Sequence, residues 1–194
     1  MRDLAKRALD TANQQGAGYA DVRVVRLRSE SVEVRNRNVE ALSSDESLGF
    51  GVRVIVDGFW GFAASHKMTL DEADVVAAQA VRIARASALV RGPRADIGPP
   101  QSVSGSYRTP VRKDAFAVSL DDKIALLLRC NETMMRAPNI ISAEASVYAQ
   151  REDKIFASSE GAYIEQELYE TGCGLEATAV DEGEVQSRSY PNSV

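Results

Sequence analysis

The sequence predicts an α+β fold in which a helix-plus-antiparallel-sheet unit is duplicated, with the helices packed on the sheets. Three observations favour this fold class: apolar residues at helical spacing separate regions of strand-type alternation, both halves share an order of one helix followed by strands, and a glycine signature recurs. The strand regions have one polar face, which is typical of antiparallel sheets whose other face is covered by helices.

The first half begins with a helix and continues with strands. Apolar residues recur at helical spacing over residues 3–15, and we expect this helix to end at Gly16 and Gly18. Asp57-Gly58 is typical of a hairpin turn. Valine-rich alternation predicts short strands on both sides of that turn, over residues 20–28, 31–35, 39–43, 50–56 and 59–64.

A second helix and a connector follow these strands. Thr69 and Glu72 have the spacing of a capping box, in which the hydroxyl and the carboxylate satisfy each other's free backbone N–H groups. The apolar stripe behind them extends from Leu70 to Leu89. Prolines, glycines and serines then replace the periodicity over residues 91–109, which indicates a connector.

The second half repeats the order of the first. A third helix is expected over about residues 119–136, and it opens with Ser119 and Asp122 at the capping spacing. Strand-type alternation then returns, over residues 141–149, 154–158, 162–169, 175–180 and 185–190. Turns are expected between these strands, at residues 151–153, 159–161, 172 and 181–183.

The glycine signature supports a duplication. Gly49-Phe-Gly51 precedes the Asp57-Gly58 turn, and Gly172-Cys-Gly174 precedes Asp181-Glu-Gly183 at a similar distance. We therefore interpret residues 1–90 as a first αβ unit with its following helix, residues 91–117 as a Pro/Gly-rich connector, and residues 118–194 as a second αβ unit. The same elements also fit one compact domain.

Composition and charge restrict the cellular setting and the partners. The 194 residues are 44% hydrophobic and 26% charged and include two cysteines, which is typical of a soluble protein in the reducing cytoplasm. No apolar run approaches the roughly 18 residues of a membrane span. The net charge of −5 disfavours direct binding to nucleic acid. Arginines alternate with acids, among them Asp21 and Glu30, and such mixed signs are typical of a solvated strand face.

The residue types predict no catalytic and no metal-binding residue in this chain. A zinc site needs three or four ligands, whereas the sequence offers one histidine, His66, and two distant cysteines, Cys130 and Cys173. A Ser-His-Asp triad would have to use the same histidine, and no Gly-x-Ser-x-Gly motif supplies its serine. We expect Cys130 to be a small buried side chain and the glycines beside Cys173 to permit a close backbone approach. Substrate-binding residues stay unknown.

One stretch of the first half carries a resemblance. The residues Ser47-Leu-Gly-Phe-Gly-Val-Arg-Val-Ile-Val-Asp-Gly-Phe-Trp-Gly-Phe-Ala-Ala-Ser65, preceded by Tyr19-Ala-Asp-Val-Arg23, resemble the N-terminal domain of the TldD/PmbA family. That family is also called modulator of DNA gyrase and comprises zinc metallopeptidases. Ser158-Ser-Glu-Gly161, Gly172-Cys-Gly174 and Arg188-Ser-Tyr-Pro-Asn-Ser193 agree with it, so the similarity covers nearly the whole chain.

The resemblance implies that this chain has a non-catalytic role. Family members are longer, and their zinc motif, a His-Glu pair followed three residues later by another His, lies beyond the point where this sequence stops. The chain contains no His-Glu pair, so zinc is expected in a C-terminal catalytic domain that this sequence lacks. The resemblance implies a non-catalytic N-terminal domain that helps to form a homo- or heterodimer and admits unfolded peptide. The chain is then either a deliberate truncation or a product lacking its catalytic half.

Three questions stay open at this level. The strands could guide a peptide by strand addition, or the domain could be a rigid lid or dimer spacer. Phe59 and Trp60, beside the Asp57-Gly58 turn, could contact a partner or pack within the hairpin. The rival function is a stand-alone protein- or peptide-binding or regulatory module without protease activity.

Overall fold

Three α-helices and seven β-strands make up most of residues 1–89, 92–100 and 102–191, which are the residues that the computed structural model describes. The predicted α+β class is confirmed. The elements follow one another in the order α1 (Arg2–Gln14), β1 (Tyr19–Arg35), β2 (Asn38–Val56), β3 (Phe59–Ser65), α2 (Leu70–Ser87), β4 (Ser104–Arg108), α3 (Leu120–Met134), β5 (Ile140–Ser158), β6 (Tyr163–Asp181) and β7 (Glu184–Tyr190). A single 3-10 turn, Ala115–Ala117, precedes α3.

The strands are hydrogen-bonded in the order β3-β2-β1-β5-β6-β4, and β7 also pairs with β6. Strands that are consecutive in the chain form antiparallel hairpins: β2 pairs with β3, and β6 pairs with β7. β4 runs parallel to β6, with Ser104 opposite Tyr163. A connector was expected over residues 91–109, but β4 lies within it. The five residues of β4 are exposed, so they show no burial alternation that would mark a strand.

The strands are longer than the sequence analysis predicted. Residues 20–28 and 31–35 belong to one strand, and the turns expected at residues 151–153 and at Gly172 lie inside β5 and β6. Charged residues and glycines are depleted in strands on average, but neighbouring strands can hold them extended by hydrogen-bonding to the backbone on both sides. Residue composition alone therefore predicts strand ends at positions where the strands continue.

The order of elements repeats as expected. One helix and three strands follow one another in each half, α1-β1-β2-β3 and α3-β5-β6-β7. Asp57-Gly58 joins β2 to β3 with φ values of 53° and 86°, and Glu182-Gly183 joins β6 to β7 with φ values of 46° and 87°. Two successive positive φ values are the signature of the two-residue type I′ hairpin turn, so the matching turns are confirmed.

The chain forms two compact units, each assembled from three separate segments. The first unit comprises Met1–Leu27, Ser47–Arg108 and Glu152–Leu168, and the second comprises Arg28–Glu46, Thr109–Arg151 and Tyr169–Val194. Both units take residues from both halves of the sequence, because the long strands pass from one unit to the other. The boundaries 1–90, 91–117 and 118–194 describe the sequence repeat and stay a prediction.

In the first unit, α1 and α2 cover one face of the sheet. The buried side chains between them are mostly alanine and valine, such as Ala8, Val22, Val52 and Ala77. At Gly61 a β-carbon would lie only 2.0 Å from the Ala80 carbonyl oxygen, so α2 rests directly on β3. The apolar stripe predicted for α2 is confirmed in its centre, whereas the terminal Leu70 and Leu89 are exposed.

The predicted helix starts are confirmed, with one difference. The Thr69 hydroxyl accepts a hydrogen bond from the Glu72 N–H at 3.2 Å, and the Ser119 hydroxyl accepts one from the Asp122 N–H at 3.1 Å. The Glu72 carboxylate does not return to the backbone N–H of Thr69. It accepts a hydrogen bond from the Ser65 hydroxyl at 2.8 Å, because the Thr69 N–H already donates to the Lys67 carbonyl.

The core of the second unit is smaller and partly polar. The buried apolar residues of its core cluster are Val32, Val34, Leu127 and Ala145. The buried amide of Asn131 on α3 accepts a hydrogen bond from the Arg37 N–H at 2.8 Å and donates to the Ala143 carbonyl at 2.7 Å. The amide therefore secures the turn between β1 and β2.

A buried ion pair completes that core. The Lys123 ammonium lies 2.5 Å from a carboxylate oxygen of Glu30, and the Arg28 guanidinium lies 3.0 Å from the other oxygen. Arg28 also lies over the Phe116 ring, 4.4 Å from its centre. The expectation of a solvated strand face was wrong for Glu30, since α3 packs over this part of β1 and supplies the lysine.

Candidate functional site

The face of the first unit's sheet that lies opposite α1 and α2 carries a groove. Successive residues of β1 point to opposite faces of the sheet, so alternate residues share a face. Ala20, Val22 and Val24 are buried in the core. The residues between them line a groove with a volume of about 770 Å³, together with residues of β2, β3 and the segment that follows β3. The lining residues are Asp21, Arg23, Val25, Leu27, Ser47, Leu48, Gly49, Phe50, Gly51, Arg53, Phe62, Ala64, Ser65 and His66.

Glycines shape the floor of the groove. A β-carbon on Gly51 would lie 2.8 Å from the Phe62 ring, and one on Gly49 would lie 3.1 Å from the Ser65 carbonyl oxygen. The Phe62 ring therefore rests on the backbone of β2, and its outer surface stays exposed. In the first half, the two glycines of Gly49-Phe-Gly51 thus allow β3 and the residues after it to lie close to the backbone of β2. In the second half the approach is less close, since nothing lies within 4 Å of a β-carbon on Gly172 and the nearest atom to one on Gly174, the Ser146 hydroxyl oxygen, is 3.4 Å away.

A buried carboxylate organises two arginines at one end of the groove. The Asp21 side chain is only 3% exposed. Arg53 Nε donates to Asp21 Oδ2 at 2.8 Å, and an Arg53 terminal nitrogen lies 2.8 Å from the same oxygen. Arg23 Nε lies 3.9 Å from Asp21 Oδ1. One carboxylate thus faces two guanidinium groups, which leaves this end with one net positive charge.

Aromatic rings support this end of the groove. The Arg53 guanidinium lies 4.6 Å from the centre of the Trp60 ring, and Tyr19 meets Trp60 edge-on at 6.1 Å. Burial raises the pKa of the Tyr19 hydroxyl, and the nearby Asp21 carboxylate raises it further. Trp60 thus packs on Arg53 and Tyr19, while part of its ring faces solvent. Phe59 is half-buried.

Most of this site was not predicted from the sequence. The expectation of a solvated strand face was wrong for Asp21, which is buried between two arginines, and His66 was considered only as a zinc ligand or as a member of a catalytic triad. His66 is exposed and lines the groove. A usable signal was present, because Asp21, Arg23, Val25 and Leu27 alternate with the valines of the core, so all four had to share the other face.

The cysteines and carboxylates do not gather into a metal site. Within the described ranges, no group of three or more His, Cys, Asp or Glu side chains is placed to hold a metal ion. Cys130 is half-buried against the core of the second unit, and Cys173 is exposed on β6. The side chains described here therefore do not fit the zinc that the resemblance implies.

Comparison with known families gives a consistent result. A model of "PmbA/TldA metallopeptidase domain 1" matches residues 20–84, and a model of the "PmbA/TldA metallopeptidase central domain" matches residues 113–193. A metalloprotease of Synechocystis is 27% identical over 175 residues, which are 89% of this chain and 37% of the relative. A metalloprotease of Methanocaldococcus jannaschii is 23% identical over 170 residues, 87% of this chain and 37% of the relative.

Solved structures share the fold. A modulator of DNA gyrase from Bacteroides thetaiotaomicron has a TM-score of 0.78 at 20% identity, over 97% of this chain and 43% of that protein. TldE from Thermococcus kodakarensis has a TM-score of 0.72 at 16% identity, over 96% of this chain and 42% of that protein. These solved structures therefore share the α+β fold of this chain.

The chain belongs to the PmbA/TldD metallopeptidase family. The two family models together span most of its length, as the resemblance of residues 47–65 predicted. The chain covers well under half the length of the relatives it matches. No described helix is both long and apolar enough to cross a membrane.

Proposed function

We propose that this chain is a non-catalytic part of a cytoplasmic PmbA/TldD-type metallopeptidase, and that it receives unfolded peptides and takes part in forming a homo- or heterodimer. In this proposal a zinc centre outside these residues hydrolyses the peptide. Family membership supports the peptide substrate, and the observation that carries the receiving role is the open groove beside strand β3.

The groove and its neighbouring strand suit an extended peptide. β3 is the end strand of the sheet order, so the backbone groups on its outer side have no strand partner among the described elements. An extended chain can add to such an edge through backbone hydrogen bonds, which do not depend on its sequence. Phe62 and Ala64 of the same strand line the groove and offer apolar contacts to alternate side chains of the added peptide.

The dimer role uses the end of the same hairpin. Phe59 and Trp60 follow the Asp57-Gly58 turn, and part of the Trp60 ring faces solvent although it packs on Arg53 and Tyr19. Aromatic side chains are enriched at protein interfaces. We propose these two residues as contacts with a second subunit.

Binding of an unfolded polypeptide tests the receiving role. We expect the chain to bind a reduced, carboxymethylated and fluorescently labelled polypeptide, and Phe62→Ala to weaken binding about fivefold, because a central aromatic contact contributes roughly 1 kcal/mol or more. Fluorescence anisotropy measures both affinities.

Leu126→Ala is the matched control. Leu126 lies on α3 and is 51% exposed, close to the 59% of Phe62, but it does not line the groove. Equal affinities of the Phe62→Ala and Leu126→Ala variants for the polypeptide would show that the groove is not where it binds. Cleavage of the labelled polypeptide by the purified chain with added zinc would overturn the non-catalytic role, and a monomer at every concentration in sedimentation would count against homodimer formation through this chain alone.

A further inference from the structure

The charged end of the groove carries two arginines and one carboxylate. Asp21 can neutralise one of the two arginines, and the distances assign it to Arg53, whose two nitrogens lie 2.8 Å from its carboxylate. Arg23 lies 3.9 Å away and is 54% exposed. Its guanidinium also lies 5.6 Å from the centre of the Phe156 ring. Arg23 is therefore held at the groove with hydrogen-bond donors still available to a ligand.

The rest of the groove has a different character. Beyond the arginines its walls are mainly apolar, since Val25, Leu27, Leu48 and Phe62 line it together with the polar Ser47, Ser65 and His66. The apolar walls favour apolar side chains. Arg53 is the lining residue of β2 nearest to the Asp57-Gly58 turn, and it is stacked on Trp60. The cationic end is therefore also the end at which the groove stops.

We propose that this groove binds the C-terminal end of an extended apolar peptide, with the terminal α-carboxylate paired to Arg23. The one net positive charge of this end matches the one negative charge of a peptide's terminal carboxylate. A peptide whose last residue lies beside Arg53 does not have to continue past the contact between Arg53 and Trp60. Asp21 acts as a positioning residue, because it holds Arg53 against Trp60 and so leaves Arg23 as the donor. The inference rests on the proposed function, since it names which part of an unfolded peptide is received.

Three peptides separate the possible sources of the carboxylate. All are short, are built of valine, leucine and alanine, and carry a fluorophore at the N-terminus. The first ends in a free carboxylate, the second ends in an amide, and the third ends in an amide but contains an internal aspartate. Anisotropy titrations at low salt measure their affinities for the 194-residue chain.

We expect the free-carboxylate peptide to bind about tenfold more tightly than the other two, as is typical of a hydrogen-bonded ion pair. Arg23→Gln should abolish this preference, and Arg23→Lys should retain part of it because the charge remains. Arg82→Gln, an exposed arginine of α2 that does not line the groove, should leave the preference unchanged. Since Arg23 is exposed, its variants are expected to fold, which circular dichroism verifies.

The other outcomes are distinguishable. Equal binding of the free-carboxylate and amidated peptides overturns the role of Arg23 while the receiving function stands. Tight binding of the aspartate peptide overturns the assignment to the C-terminus. If none of the three peptides and no unfolded polypeptide binds, the proposed function fails and this inference fails with it.

Discussion

The cores of the two compact units differ in what they bury. The first unit packs two helices on its strands mainly through alanine and valine, at distances short enough to require glycine at position 61. The second unit buries a small apolar cluster in its core together with a lysine, a glutamate and an asparagine. Small apolar residues allow close approach but leave no space for added atoms, whereas buried polar groups depend on their partners.

This difference predicts opposite sensitivities. The first unit should be damaged most by an increase in side-chain volume, because its backbones are already in contact at Gly61. The second unit should be damaged most by the loss of one member of a polar pair, because the remaining member stays buried without compensation.

The largest expected effect is that of Gly61→Val in the first unit. A β-carbon at this position would lie 2.0 Å from the Ala80 carbonyl oxygen and 2.5 Å from the Ala84 backbone nitrogen, so α2 must move away from β3. We expect the free energy of unfolding to fall by about 4 kcal/mol or more, measured by urea denaturation.

Gly105→Val is the matched control for that substitution. Gly105 also lies in a strand of the first unit, but a β-carbon there meets nothing within 4 Å. It should change stability by no more than about 0.5 kcal/mol. Similar losses for the two valine variants would show that strand glycines matter here for a reason other than close packing.

The second largest loss in the free energy of unfolding is expected for Lys123→Met in the second unit. It leaves the Glu30 carboxylate buried, but Arg28 remains 3.0 Å away, so we expect a loss near the lower end of the range for broken buried pairs, about 3 kcal/mol. Adding Glu30→Leu should recover most of that loss, because no buried carboxylate then remains and Arg28, whose side chain is 44% exposed, is solvated. Urea denaturation of the single and double variants measures both effects.

Lys154→Met provides the comparison with a more exposed pair. Lys154 lies 2.8 Å from Glu152, and both side chains are partly exposed. Its loss should be below about 1 kcal/mol. A loss as large as that of Lys123→Met would contradict the explanation by burial.

The smallest expected effect concerns pH and the contact between α1 and α2. Hydrogen bonds from Arg7 and from the Thr11 hydroxyl hold the pKa of Asp74 below its ordinary 3.8. A carboxyl whose pKa is lower in the folded state contributes stability above its unfolded pKa and loses it as pH falls through the folded value. Wild type should therefore exceed Asp74→Asn in urea midpoint at about pH 6, and the two should converge below the ordinary carboxyl range.

Asp45→Asn removes an exposed carboxylate from β2 and serves as the control, because Asp45 is not among the groups that act on Arg7 or Asp74. A gap between wild type and Asp74→Asn that stayed constant down to the lowest pH would mean that the hydrogen bonds do not favour the ionised form.

Local signals predicted the helix starts and the two matching hairpin turns well. The Thr69 and Ser119 hydroxyls begin α2 and α3 as expected, and Asp57-Gly58 forms the expected turn. These features depend on residues only a few positions apart, so their energetics are contained in short stretches of sequence. Strand ends were predicted poorly, since continuation through residues 151–153 and Gly172 depends on neighbouring strands.

The candidate site was predictable only in part. The alternation of Asp21, Arg23, Val25 and Leu27 with core valines is visible in the sequence, but their meeting with Arg53 and Phe62 requires the β1-β2-β3 pairing. Whether a charged strand residue is solvated or buried depends on what packs over it. Glu30 is buried because α3, about 90 residues later in the chain, supplies Lys123.

By itself the sequence determined the α+β class, the helix starts, the matching hairpin turns and the family, because periodicity, capping and turn chemistry act over a few residues. Only the tertiary structure decided the lengths of the strands, the parallel pairing of β4 with β6, the burial of Asp21 and Glu30, and the groove over Gly51. Those features arise where segments distant in the chain share one environment, and the free energy of burying a charge or leaving a groove open depends on every segment that contributes to it.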